Sequence, residues 1–135
     1  MPLYTTTQVQ SALASVKNQT TGTSLLEVFT EFPSTLNKAS EGFYVARVYQ
    51  ADRIKNGNGI TPGSHIYNIK DVIEMYLVAQ QVNPSVDSAL GVFTTFLDNS
   101  LFSGYFLREQ TIEQQYVQNS ERYKVVFELT RLAII

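Results

Sequence analysis

A chain of 135 residues has the size of one ordinary domain and can bury a core without staples. It has no Cys, no Trp, one His, a formal net charge of −2 and 16% charged residues, where a typical soluble domain has about 25%. That composition excludes disulfides, thiolate chemistry and a zinc site of the usual nitrogen–sulfur kind, and it offers no basic face for nucleic acid.

Thr5, Thr6 and Thr7 supply N-cap oxygens ahead of a helical pattern. Val9, Leu13 and Val16 recur at i, i+4 and i+7, which predicts an amphipathic helix over Thr6–Lys17 with Gln, Ser, Lys and Thr opposite. Asn18 to Gly22 ends it, with Gly22 free to adopt a positive φ. From Leu25 to Phe32 the residues Leu26, Val28, Thr30 and Phe32 share one face if extended, and Pro33 closes the run. This reads as a strand, with a short helix as its rival. Ser34 to Gly42 is a connector, and Phe43 to Gln50, rich in aromatic and β-branched residues, is a second strand.

Asp52 to Ser64 then holds Asn56-Gly57, Asn58-Gly59 and Pro62-Gly63, which predicts a long, mobile hairpin loop. Ile66 to Gln81 alternates. Tyr67, Ile69, Ile73, Met75, Leu77 and Ala79 share one side, interrupted by Asp71, where a bend is expected. A long third strand is the reading, and a helix over Ile69–Ala79 is the rival.

Asn83 as N-cap, Pro84 at the first helical position and Asp87 in the first turn open a second helix running to about Ser100. Val86, Leu90, Phe93 and Leu97 form its stripe with Ala89 and Phe96 alongside, and Gly91 suits a close approach to a sheet. Tyr105 to Val117 reads as an exposed strand and Gln118 to Arg122 as a turn. Tyr123 to Ile135 alternates again, with Tyr123, Val125, Phe127, Leu129, Ala133 and Ile135 on one side, while Val126, Leu132 and Ile134 spoil the other. An apolar end such as Ala133-Ile134-Ile135 frays in water unless the domain's own helix or a neighbouring subunit covers it.

Little in the chain carries chemistry. His65 follows Pro62-Gly63-Ser64 and reads as a strand-end histidine rather than a general base or metal ligand. Glu27 and Glu31 would lie about 13 Å apart on one side of a strand, too far for most paired-carboxylate catalysis. Asn56-Gly57-Asn58-Gly59 lacks the spacing of a phosphate loop, and no pattern matches a calcium loop. Arg53 and Lys55 make this loop either a solvated tip or a docking finger. The aromatic residues fall on apolar faces without basic residues between them, which favours core packing over base stacking. No catalytic residue, cofactor or metal is expected. No run approaches the roughly 20 apolar residues of a membrane helix. The N-terminus also lacks the pattern of a secretion signal. Much of the rest is Ser, Thr, Asn and Gln, which cost less to desolvate between neighbouring chains than ions do. The chain therefore reads as one that works by assembling.

The order of segments resembles the tail terminators and related head–tail joining (neck) proteins of tailed bacteriophages. The likeness is carried by the N-terminal helix Thr6–Lys17, the strand Leu25-Leu-Glu-Val-Phe-Thr-Glu-Phe-Pro33, the strand Gly42-Phe-Tyr-Val-Ala-Arg-Val-Tyr49 leading into the polar loop, the long strand Ile66–Ala79, the helix Pro84–Asn99, and the final strand containing Arg122-Tyr-Lys-Val-Val-Phe-Glu-Leu-Thr130. Two features depart from the family pattern: Glu41-Gly-Phe-Tyr44 stands where a Gly-x-Pro is usual, and the last strand runs on to an apolar end.

The resemblance implies a single α+β domain over residues 1–135, a twisted, mostly antiparallel sheet of about five strands with two helices on one face, in the order α-β-β-β-α-β-β. It further implies a virion protein, made in the host cytoplasm, that forms a six-fold ring by heterologous contacts. The ring would cap the tail tube and meet the head–tail connector, with no membrane and no specific nucleic-acid binding, DNA merely passing through. Interface candidates are Arg53, Lys55, Asn56, Asn58 and Ile60 in the loop, Tyr105, Arg108, Gln110 and Ile112 along an exposed strand, and Ile134 and Ile135 at the end. Two other readings stand beside it. One is a small α+β ligand-binding or enzymatic domain with His65 or Asp71 in a pocket. The other is a tail-tube or baseplate subunit.

Overall fold

The computed structural model describes residues 2–20, 26–29, 42–59, 61–80, 86–117 and 120–135. Its elements are α1 (Thr6–Gln19), β1 (Glu27–Phe29), β2 (Gly42–Asn58), β3 (His65–Gln80), α2 (Val86–Leu97), a 3-10 turn (Ser100–Phe102), β4 (Leu107–Val117) and β5 (Ser120–Ile134). The fold is α+β. The strands form one mixed sheet in the order β1-β2-β3-β5-β4, with β1 parallel to β2 and every other pairing antiparallel.

α1 starts where the threonines place it. The Thr5 hydroxyl accepts from the Gln8 backbone N–H at 3.3 Å, and the Gln8 side-chain oxygen accepts from the Thr5 N–H at 2.9 Å, a reciprocal cap of two otherwise orphaned donors. Val9, Leu13 and Val16 are buried as their spacing requires. So is Lys17, whose Nζ donates to the Leu26 carbonyl at 2.7 Å and ties the end of α1 to the start of β1. α1 closes on Thr20 in an extended conformation, and Gly22 lies outside the described residues.

β3 is a strand, not a helix, because it has a partner on each side. Ile69, Asp71, Ile73, Met75 and Leu77 alternate into one face and are each at most 3% exposed. The same face carries Phe43 and Val45 of β2 and Tyr123, Val125, Phe127 and Leu129 of β5. Both helices cover this face, and we call it the helix side; the opposite face is the open side.

The sequence expectation for α2 needs a correction. Its buried residues are Ala89, Val92, Phe93 and Phe96, while Leu90 and Leu97 are only partly buried. The stripe is therefore turned from Val86-Leu90-Phe93-Leu97 toward Val92 and Phe96, because Phe96 meets Phe102 edge-on and Phe127 at a tilt, and Phe93 meets Phe43 edge-on at 5.2 Å. Gly91 does not approach the sheet, since a Cβ there would meet nothing within 4 Å. Gly91→Ala should accordingly raise stability by about 0.5–1 kcal/mol, by lowering the entropy of the unfolded chain and improving helix propensity. Urea unfolding measures it, and a loss of stability would mean that the site is tighter than its geometry. The expected caps at Asn83 and Pro84 lie outside the described residues, as do the connector Ser34–Glu41 and Pro33, while Asp87 falls in the first turn of α2.

The largest correction concerns the loop. Asp52–Asn58 is not a loop but the continuation of β2, paired residue by residue with His65–Lys70. The Asn-Gly signals mark turn chemistry. Here they yield to the ladder, and Asn56 is instead an extra, unpaired residue between Lys55↔Tyr67 and Gly57↔Ile66. Ala46 and Ala51 are extra residues of the same kind. The reversal itself is short. Gly59 N–H donates to the Ser64 carbonyl at 2.9 Å, and Gly63 takes φ 83°.

Candidate assembly surface

β2, β3 and β5 outrun the helices. Beyond Asp71, the stretches Ala51–Asn58, His65–Lys70 and Thr130–Ile134 form a three-stranded arm about 20 Å long, from a rise of about 3.3 Å per residue. Its end is closed by paired backbone bonds between His65 and Ile135, at 2.8 and 2.9 Å.

Cross-strand partners share a side. The open side of the arm therefore carries Ile54, Asn68 and Leu132 in one row and Ile66 and Ile134 in the next. Ile54, Leu132 and Ile134 are 59%, 57% and 69% exposed, and Leu107 at the start of β4 is exposed nearby. Such a cluster is a contact surface in search of cover. The helix side of the arm carries Arg53, Lys55, Tyr67, His65 and Asn58, with the Arg53 guanidinium 4.3 Å from the centre of the Tyr67 ring. Toward its end the arm thus gathers apolar residues on the open side, beyond the Asp52–Lys70 row, and cations with aromatic rings on the helix side.

Among the described residues two sheet edges are free. β1 pairs only with Gly42–Tyr44, so β2 from Ala46 to Asn58 has no strand outside it, and β4 has none outside it along its length. Free backbone donors and acceptors in such edges are templates for another chain.

The root of the arm is a buried ionic knot. Asp71 is 1% exposed, and its Oδ2 accepts from the Tyr105 hydroxyl at 2.6 Å, the Arg131 Nε at 2.9 Å and the Leu3 N–H at 3.2 Å. Its Oδ1 has no partner among the described residues. Burial, then the hydrogen bond to Asp71, push the Tyr105 hydroxyl far above its ordinary pKa. On the open side, Arg47 makes two bonds of 3.1 Å to Glu74, and this charge-assisted contact holds the Glu74 carboxyl below the usual range.

The interface candidates fall in three groups. Arg53, Lys55, Asn56 and Asn58 lie together, exposed, on the arm, with Asn56 donating to Asn68 at 3.4 Å and Asn58 in contact with His65 at 3.2 Å; Ile60 is outside the described residues. Ile112 lies exposed on the β4 edge, whereas Arg108 and Gln110 are half-buried. Arg108 turns inward to the Leu97 carbonyl at 3.2 Å, pinning β4 to the end of α2, and the Gln110 Oε1 is buried without a partner among the described residues. Ile134 and Ile135 are exposed on the arm, away from the core that alternation gave Ala133 and Ile135. Tyr105 is a correction. At 5% exposure and bonded to Asp71 it belongs to the core and offers no surface.

Sequence reasoning missed Ile54 and Leu132. Leu132 showed as a break in the polar face of the last strand, but Ile54 was hidden by the loop reading of its neighbours.

Taken together these features define an α+β domain with an open sheet, two edges free among the described residues and an arm with an apolar row on one side. Among the described residues no helix is long and apolar enough to cross a membrane, and no group of three or more His, Asp or Glu is placed to hold a metal. The sequence matches no protein-family model and no curated protein.

Proposed function

We propose that this chain is a structural subunit that assembles with copies of itself into a ring, as the tail-terminator and neck proteins it resembles do. In this reading it is a virion protein, not an enzyme, and sits between the tail tube and the head–tail connector. The observation that carries the proposal is the arm, with Ile54, Leu132 and Ile134 more than half exposed beside two sheet edges that are free among the described residues. A chain that remained alone in water would expose these to non-specific pairing. Low charge and abundant uncharged polar residues support the same reading.

The reading as a ligand-binding or enzymatic domain would put His65 or Asp71 in a pocket. Asp71 is closed off and spent on three donors, and His65 lies six residues away toward the end of the arm.

The test is solution mass across a concentration series, with negative-stain images of the same sample. A closed ring of about six copies is the expected result. Open tubes would favour the tail-tube reading instead. A monomer or dimer whose mass ignores concentration would overturn the proposal.

A further inference from the structure

We infer that copies join edge to edge, the outer edge of β2 in one copy pairing with β4 of the next, to continue one antiparallel sheet around the assembly. This rests on the ring reading and names the contact that would build it.

Three observations carry it. The first is polarity. Three antiparallel pairings separate β2 from β4 within a copy, so the two free edges run in opposite directions. A neighbour placed by simple rotation about a ring axis therefore meets β2 with an antiparallel β4, the geometry that a ladder of paired bonds needs.

The second is charge. The free edge of β2 carries Arg47, Arg53 and Lys55 against Asp52, and β4 carries Glu109 and Glu113 against Arg108, which is turned inward. Two-fold pairing of β4 with itself about Thr111 would set Glu109 opposite Glu113 twice. Two-fold pairing of β2 about Ile54 would set Arg53 opposite Lys55 twice. Like charges directly opposite destabilise a pair of strands, so these two self-pairings are disfavoured.

The third is what each side would meet. Keeping the sides of the sheet continuous brings the cations Arg53 and Lys55 to the side of β4 that carries Gln110, Ile112 and Gln114. Gln110 holds one of the two buried acceptors, with Asp71 Oδ1, that lack a donor among the described residues. On the open side the same continuity puts Ile54 of one copy on the side that carries Leu107 of the next.

The chain has no Cys, so introduced cysteines report alone. Asp52→Cys is combined in turn with Glu109→Cys, Thr111→Cys and Glu113→Cys, all on the open side, and oxidised under non-denaturing conditions. Directly opposite residues bring Cβ atoms close enough for a disulfide. One of these doubles should give a ladder of covalent oligomers, while each single variant stays uncross-linked. A ring that forms but cross-links only through Gln110→Cys or Ile112→Cys, through β4 alone, or not at all, would overturn the edge pairing and leave the ring reading standing. A full-length chain that stays monomeric at every concentration would overturn both.

Discussion

Arg131→Leu should lower the unfolding free energy by about 3–5 kcal/mol, the usual loss when one member of a buried ion pair is removed. The Asp71 carboxylate has almost no access to water, and Arg131 is its cationic partner at 2.9 Å. Without the guanidinium the charge stays buried against one hydroxyl and one backbone N–H. The companion variant is Asp71→Leu with Arg131→Leu, which removes both charges and should recover much of the loss, because desolvating the pair already offsets most of its attraction. Urea unfolding of both variants decides the matter. A change below about 1 kcal/mol in the single variant would show that Arg131 behaves as an exposed ion pair does.

Phe102→Ala should cost a similar amount, about 3–5 kcal/mol. Phe102 is fully buried on the short turn between α2 and β4, with its N–H side capped by the Asn99 carboxamide oxygen on Leu101 N–H. Its ring lies 5.1 Å from Phe96, 6.2 Å from Phe127, 6.3 Å from Tyr105 and 6.4 Å from Tyr4. Truncation opens a void among four rings held by four different segments, so little can collapse to fill it. Phe106→Ala, on a residue 61% exposed four positions along, should change stability by less than about 0.5 kcal/mol. Comparable losses for both would mean that the aromatic cluster does not hold the turn.

Much of the architecture was legible because its signals are local. The threonine cap and the Val9-Leu13-Val16 spacing placed α1, and alternation through Ile69, Ile73, Met75 and Leu77 placed β3. What was illegible depended on partners distant in sequence. Asp52–Asn58 has turn-forming residues, and only the opposing strand His65–Lys70 makes it extended. The rotation of α2 depends on Phe102 and Phe127, which no periodicity within the helix can announce. Tyr105 read as exposed because it opens a run with Arg108, Gln110 and Gln114, while its hydroxyl is drawn inward by an aspartate 34 residues earlier. For the candidate surface, the cations of the arm were visible as types and misplaced as a loop. The apolar row Ile54–Leu132 emerges only when the register of three strands is known.

The three extra residues of β2, Ala46, Ala51 and Asn56, recur at intervals of five and have no counterpart in β3. Each lengthens the outer strand relative to its partner and adds local twist, so the free margin of the sheet follows a coiled path instead of a straight one. A flat, in-register stack of identical segments cannot follow such a path. Bulges of this kind hinder flat, indiscriminate stacking along the β2 margin, while the apolar row of the arm and the β4 edge have no such protection. Straightening it, by deleting Ala51 for example, should raise the tendency to aggregate, read as light scattering over time.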